Sequence, residues 1–180
     1  MFRSFLVFIV FLNCSHMLTA QTERIRGTVV KDYGETFKVD NPDVQTDTSQ
    51  EFKLILDVSS SSEDKSVINK NIVTAARFLN MHANEGIPKE KLKVAMTVHA
   101  GAWQDILTNV AYKKRFGVDN PNLDLINKLT EAGADIILCG QTASFRGIKK
   151  EEINSNVKMA LSAMTALIQY QKNGYTFIKF

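Results

Sequence analysis

Residues 134–141 read Ala134-Asp135-Ile136-Ile137-Leu138-Cys139-Gly140-Gln141. The apolar positions follow one another without alternation, which is the pattern of a buried strand. Gly140 and the polar residues after it predict a turn into a helix. The run therefore reads as strand, thiol, helix. A cysteine at such a junction can face solvent and lie at the positive end of a helix, where its thiolate is favoured.

The same alternation extends on both sides. Upstream, Phe52–Val58 and Leu92–His99 have strand character. Between them Ile68, Ile72, Ala75 or Ala76, and Leu79 recur at helical spacing, and the helix fades near Gly86-Ile87-Pro88. Trp103 to about Phe116 reads as mostly helical. Asn120-Pro121-Asn122 opens a further helix, with Leu125, Ile126 and Leu129 inward and Gly133 ending it. Downstream, Val157–Leu161 predicts a fourth strand, Ser162 caps a helix through Asn173, Gly174 stops it, and Tyr175–Ile178 is the last strand. Strands alternating with helices predict right-handed crossovers and a mainly parallel sheet covered on both faces. Functional groups in such folds gather at the carboxyl ends of the strands. Here that edge carries Ser59–Ser62, His99 with Gly101, and Cys139 with Gly140.

The N-terminal part differs. Arg3 precedes an apolar run, Phe5–Leu12, that is too short to span a bilayer, and Leu18-Thr19-Ala20 ends in a small residue. Residues 1–20 read as a secretory signal peptide, so the mature chain is expected in the periplasm or secreted, with no stable membrane insertion. Residues 21–50 read as an extension. Ile25–Val30 and Thr36–Val39 predict a small hairpin around the turn Asp32–Glu35. Residues 51–180 form the α/β domain.

Removing the signal takes away Arg3 and no acidic residue, leaving 21 basic against 19 acidic side chains, a net +2. That is too little to indicate nucleic acid as a partner. The longest basic run, Lys113-Lys114-Arg115, reads as a solvated helix face. Of the two cysteines, Cys14 leaves with the signal, so Cys139 has no partner in its own chain.

Two readings of Cys139 stand at this point: a nucleophilic or sulfur-carrying thiol, and a packed strand-end cysteine. Arg146, Lys149 and Lys150 follow closely and would add positive potential to the first. His99 ends the second strand. If strands two and three are neighbours, it lies about 5 Å away along the sheet, either as a base for Cys139 or as a structural residue. Gly140 and Gln141, directly after the thiol, with Arg146 and Trp103, complete the candidate substrate-binding set. One cysteine and one histidine are too few ligands for a zinc site, so no metal is implied. There is no phosphate loop, dinucleotide turn or nucleophile elbow, and no cofactor is implied.

Cys139-Gly140-Gln141-Thr142-Ala143 with Gly147-Ile148, Val98-His99-Ala100-Gly101, Asn120-Pro121-Asn122, Leu129–Gly133 and the ending Gln171–Ile178 stand in an order that resembles the DsrE/DsrF-like family over roughly residues 52–180. The resemblance implies a three-layer α/β/α domain with a five-stranded parallel sheet and assembly into a homo-oligomer, a trimer or hexamer. It also implies sulfur carried as a persulfide at the position of Cys139, exchanged with a donor or acceptor protein. Family members that do this work in intracellular relays for sulfur oxidation or tRNA thiolation. This chain departs in its signal peptide and in its lack of a second cysteine. In the family's strand order the cysteine strand is not at the switch point, so a pocket there draws on a neighbouring subunit. The leading expectation is an exported protein that binds or transfers sulfur on Cys139. Its rival is a non-catalytic oligomeric module that holds a small ligand or a protein near His99 and Trp103.

Overall fold

The computed structural model describes residues 23–179; the proposed signal segment lies outside them. Two short strands come first, β1 (Arg24–Ile25) and β2 (Thr36–Phe37). The α/β part follows as β3 (Phe52–Val58), α1 (Lys70–Asn84), β4 (Leu92–Val98), α2 (Asn109–Phe116), α3 (Leu123–Glu131), β5 (Asp135–Cys139), α4 (Gly140–Arg146), β6 (Lys158–Ala160), α5 (Ala163–Lys172) and β7 (Thr176–Ile178). The main sheet has the order β6-β5-β4-β3-β7. Every pairing in it is parallel. The expected five-stranded parallel α/β fold is therefore present.

The path of the chain explains the unequal layers. From β3 to β6 each strand is added on the same side of the last one, so right-handed crossovers put α1, α3 and α4 on one face. After β6 the chain returns across the whole sheet to reach β7, and α5 makes that return on the other face. On the first face Leu54, Leu56, Val94, Met96, Val98, Ile136 and Leu138 pack with Ile72, Leu79, Leu125, Ile126 and Leu129 in one large core. On the second face Ile55, Ala95 and Ile137 meet Ala166, with Leu167, Tyr170 and Tyr175 at the border. Each fully buried Leu or Ile contributes about 1.5–3 kcal/mol, so the first face dominates the stability.

Two elements differ from the sequence expectation. Trp103–Phe116 is not one helix. Ala100–Ile106 is a 3₁₀ segment, Leu107 is extended and bridges Ile153, and Thr108 then caps α2 by accepting the Ala111 N–H. Leu107 is fully buried, and one turn of regular helix cannot place it there while also reaching Ile153. The N-terminal hairpin is also shorter than expected, with register Arg24↔Phe37 and Ile25↔Thr36. Val29 and Val30 do not pair with a strand. Their N–H groups donate to Asn80 Oδ1 at 3.1 and 2.8 Å, and Asn80 Nδ2 donates to the carbonyls of Val30 and Tyr33 at 3.0 and 2.8 Å. Val30 itself enters the large core. Gly34, at φ +65°, lies so close to α1 that a Cβ would come within 2.3 Å of the Arg77 nitrogen. Asn80 thus supplies the central polar tie between the extension and α1, beside the burial of Val30 and the close approach of Gly34.

A second polar network ties the loops at the carboxyl edge. Asp105 is fully buried. It accepts from Ser61 Oγ at 2.6 Å, Asn69 Nδ2 at 2.7 Å and Asn122 Nδ2 at 3.3 Å. Asn120 Nδ2 donates to the carbonyls of Asp105 and Leu107. Burial pushes the Asp105 carboxyl up to about 6, against the lowering effect of Ser61, Asn69 and Lys65.

Candidate functional site

Alternation along the strands decides which residues share the site. Asp57 on β3, Thr97 on β4 and Cys139 on β5 fall on the α5 face, in phase with Ile55, Ala95 and Ile137. The β4–β5 register pairs Val98 with Leu138. One step further sets His99 opposite Cys139, about 5 Å across the sheet. The His99 N–H still donates to the Val58 carbonyl at 3.0 Å, so the ladder reaches that far.

Cys139 passes directly from β5 into α4, where it occupies the N-cap. Gly140 is needed for steric reasons: a Cβ there would lie 2.7 Å from the Ala160 carbonyl oxygen and 3.1 Å from that of Leu161. The tight approach brings the Leu161–Ala163 corner over the thiol. Cys139 consequently keeps 6% exposure, less than its place at a strand end suggested. Its surroundings are polar nonetheless. Burial is the largest influence on the thiol and raises its pKa. The N–H and hydroxyl of Thr142, the N–H of Ala163 and the N–H of Gln141 together outweigh burial, and the net shift is downward. The starts of two helices, α4 and α5, therefore converge on one sulfur. The Thr142 oxygen also accepts the Ala100 N–H at 3.3 Å, which ties the thiol's neighbour to the end of β4. Ala100 holds φ +47°, an uncommon conformation for a residue with a Cβ.

His99 has a partner that sequence reasoning did not identify. Its Nε2 lies 2.8 Å from Asp57 Oδ1. Thr97 Oγ1 donates to the same oxygen at 3.0 Å, and Lys179 Nζ lies 3.2 Å from Asp57 Oδ2. Burial, the largest influence, raises the Asp57 carboxyl, but Lys179, His99 and Thr97 together bring it below its ordinary value. No hydrogen bond joins His99 to Cys139 among the described residues.

The remaining candidates are placed apart from the sulfur. Gln141 is exposed and reaches the Leu161 carbonyl with its side chain at 3.4 Å. Arg146 is the last residue of α4, about 9 Å along the helix axis from its start, with its guanidinium over the Phe145 ring. Apart from burial, the leading influences on the thiol are the neutral donors of Thr142, Ala163 and Gln141, ahead of Arg146, Lys149 and Lys150. Trp103 packs between the large core and the Leu107–Tyr112 cluster, with Arg115 stacked on it at 5.3 Å. A cleft of about 630 Å³ beside β6, lined by Ala143, Ile148, Ile153 and Met159, opens on the opposite face of the sheet from Cys139. Among the described residues no cluster of His, Cys, Asp and Glu is arranged to hold a metal ion, and no helix is long and apolar enough to cross a membrane.

Asp57, Thr142, Ala163 and Lys179 are the groups that sequence reasoning missed. Asp57 left one trace, as the lone acid toward the end of an apolar strand. Thr142 lies only three residues beyond the thiol in the first turn of α4, whereas Ala163 and Lys179 reach the site from elements distant in sequence.

Solved structures that share the fold include the following two. One is a protein of unknown function, MTH1491, from Methanobacterium thermoautotrophicum, at 12% identity and TM-score 0.52. The other is the ychN protein from E. coli, at 14% identity and TM-score 0.50. Each alignment covers 72% of this chain and 99% of the other. No curated protein matches the chain. The sequence pattern of the DsrE/DsrF-like family matches residues 53–180. With that match over most of its length and the five-stranded parallel sheet to accompany it, the chain belongs to the DsrE/DsrF-like family.

Proposed function

We propose that this protein is an exported sulfur carrier that holds sulfane sulfur as a persulfide on Cys139. The observation that carries the reading is the set of donors from α4 and α5 that favours the Cys139 thiolate despite its burial. A thiolate is the species that attacks a sulfur–sulfur bond. In the loading step Cys139 Sγ attacks the terminal sulfane sulfur of a polysulfide donor. A new S–S bond forms, the donor's S–S bond breaks, and its electron pair leaves with the shortened donor. The N-terminal segment, read as a signal peptide, supports action outside the cytoplasm.

We include a homo-oligomer, a trimer or hexamer, in this reading. Leu161, Met164 and Ile168 are 72, 71 and 55% exposed beside the thin α5 layer, an apolar surface that a second copy would cover. The same surface supports the second reading, a non-catalytic oligomeric binding module.

Intact mass spectrometry after polysulfide exposure separates the two. Wild type is expected to gain the mass of one sulfur atom, removable by reductant, and Cys139→Ser none. Equal masses before and after exposure in the wild type would remove the carrier reading.

A further inference from the structure

The leading groups that favour the Cys139 thiolate are Thr142, Ala163 and Gln141. His99 makes no hydrogen bond to the sulfur, although the register puts it on the neighbouring strand end and the same face. Its Nε2 is committed to Asp57. Because Asp57 is held below its ordinary pKa and accepts from Thr97 and Lys179 as well, it is an anion that can only accept. Nε2 must therefore carry the proton, and a neutral ring keeps its lone pair on Nδ1. Nδ1 has no hydrogen-bond partner among the described residues. Every buried side-chain nitrogen and oxygen there is partnered, so Nδ1 is reachable from solvent. An oriented imidazole with an open basic nitrogen beside a thiolate that does not need it is suited to a second molecule.

We infer that His99 is the general base for the incoming acceptor thiol, with Asp57 as the positioning residue that fixes its tautomer. The inference rests on the carrier reading of Cys139. In the step, the acceptor R–SH gives its proton to Nδ1, and its sulfur attacks the outer sulfur of Cys139–S–SH. The Cys139 S–S bond breaks and its electron pair stays on Sγ as the thiolate. The products are R–S–SH, the Cys139 thiolate and protonated His99. Charge and hydrogen balance, and no oxidant or reductant is consumed. The groups that favour the Cys139 thiolate make it a good leaving group, since thiols of lower pKa leave faster. The substrate class is thus a thiol that is mostly protonated at working pH, such as an ordinary cysteine of a partner protein or a small alkyl thiol.

The test uses the full chain, loaded with polysulfide and checked by mass, then mixed at pH 7 with an alkyl thiol or with an aromatic thiol already ionised at that pH. His99→Gln and Asp57→Asn are expected to slow transfer to the alkyl thiol by about ten- to hundredfold, in line with the loss of a general base. Transfer to the ionised thiol should stay within about twofold of wild type, because it needs no base. An equal loss with both thiols would mean that His99 serves structure alone. Undiminished transfer to the alkyl thiol in His99→Gln would overturn the inference while leaving the carrier reading intact. Failure of the wild type to load at all would remove both, and the mass measurement shows which has failed.

Discussion

Asp105 illustrates how one side chain can couple this fold to pH. Its folded pKa of about 6 lies above the roughly 3.9 of an unfolded aspartate. The folded state therefore favours the protonated form. The stabilisation this gives is complete below about pH 4 and disappears as pH rises through about 6, a change of about 3 kcal/mol. Urea unfolding of wild type and Asp105→Asn between pH 4 and 7.5 isolates this contribution from those of the other carboxylates. Wild type should gain stability relative to the variant as pH falls, and parallel profiles would contradict the assignment. Asp105 was not legible in the sequence, since burial of an acid depends on donors that come from Ser61, Asn69 and Asn122. Cys139 was legible, because strand, thiol and glycine are adjacent in the chain. Its burial was not, because the covering Leu161–Ala163 corner lies some twenty residues downstream.

At the scale of elements, the strands of the main sheet followed the sequence closely, and Ser162 caps α5 as expected by accepting the Thr165 N–H three residues ahead. The cap of α1 is Asn69, which accepts the Asn71 N–H and was not singled out in the sequence. What failed was the segment where a distant contact overrules local preference, as in the break at Leu107 and the short N-terminal ladder. The extension depends on α1 through Asn80, which satisfies four backbone groups of residues 29–33. Asn80→Ala would leave these without partners and is expected to cost about 2–4 kcal/mol. Denaturant unfolding measures the loss, and proteolysis should cut first within residues 23–50. A loss below about 0.5 kcal/mol would show that the extension is held by other means.

For the whole molecule, the unequal layers carry the main expectation. A face covered by α5 alone, with Met164 and Ile168 one helical turn apart and exposed, is where copies are expected to meet. Met164→Glu combined with Ile168→Glu should reduce the mass seen by light scattering from that of a trimer or hexamer to that of a monomer, with helical content unchanged. An unaltered mass would place the interface elsewhere. The long return of the chain also bears on biosynthesis. β3 is made early, yet its partner on one side is β7, with Leu56 opposite Ile178. Until residues 176–178 emerge, that side of β3 is an unpaired apolar edge, open to pairing with other chains. The same late strand leads to Lys179, which joins Asp57. A folding chain therefore closes this edge and brings Lys179 to Asp57 with the same late segment, so completion of the site and protection from aggregation are coupled.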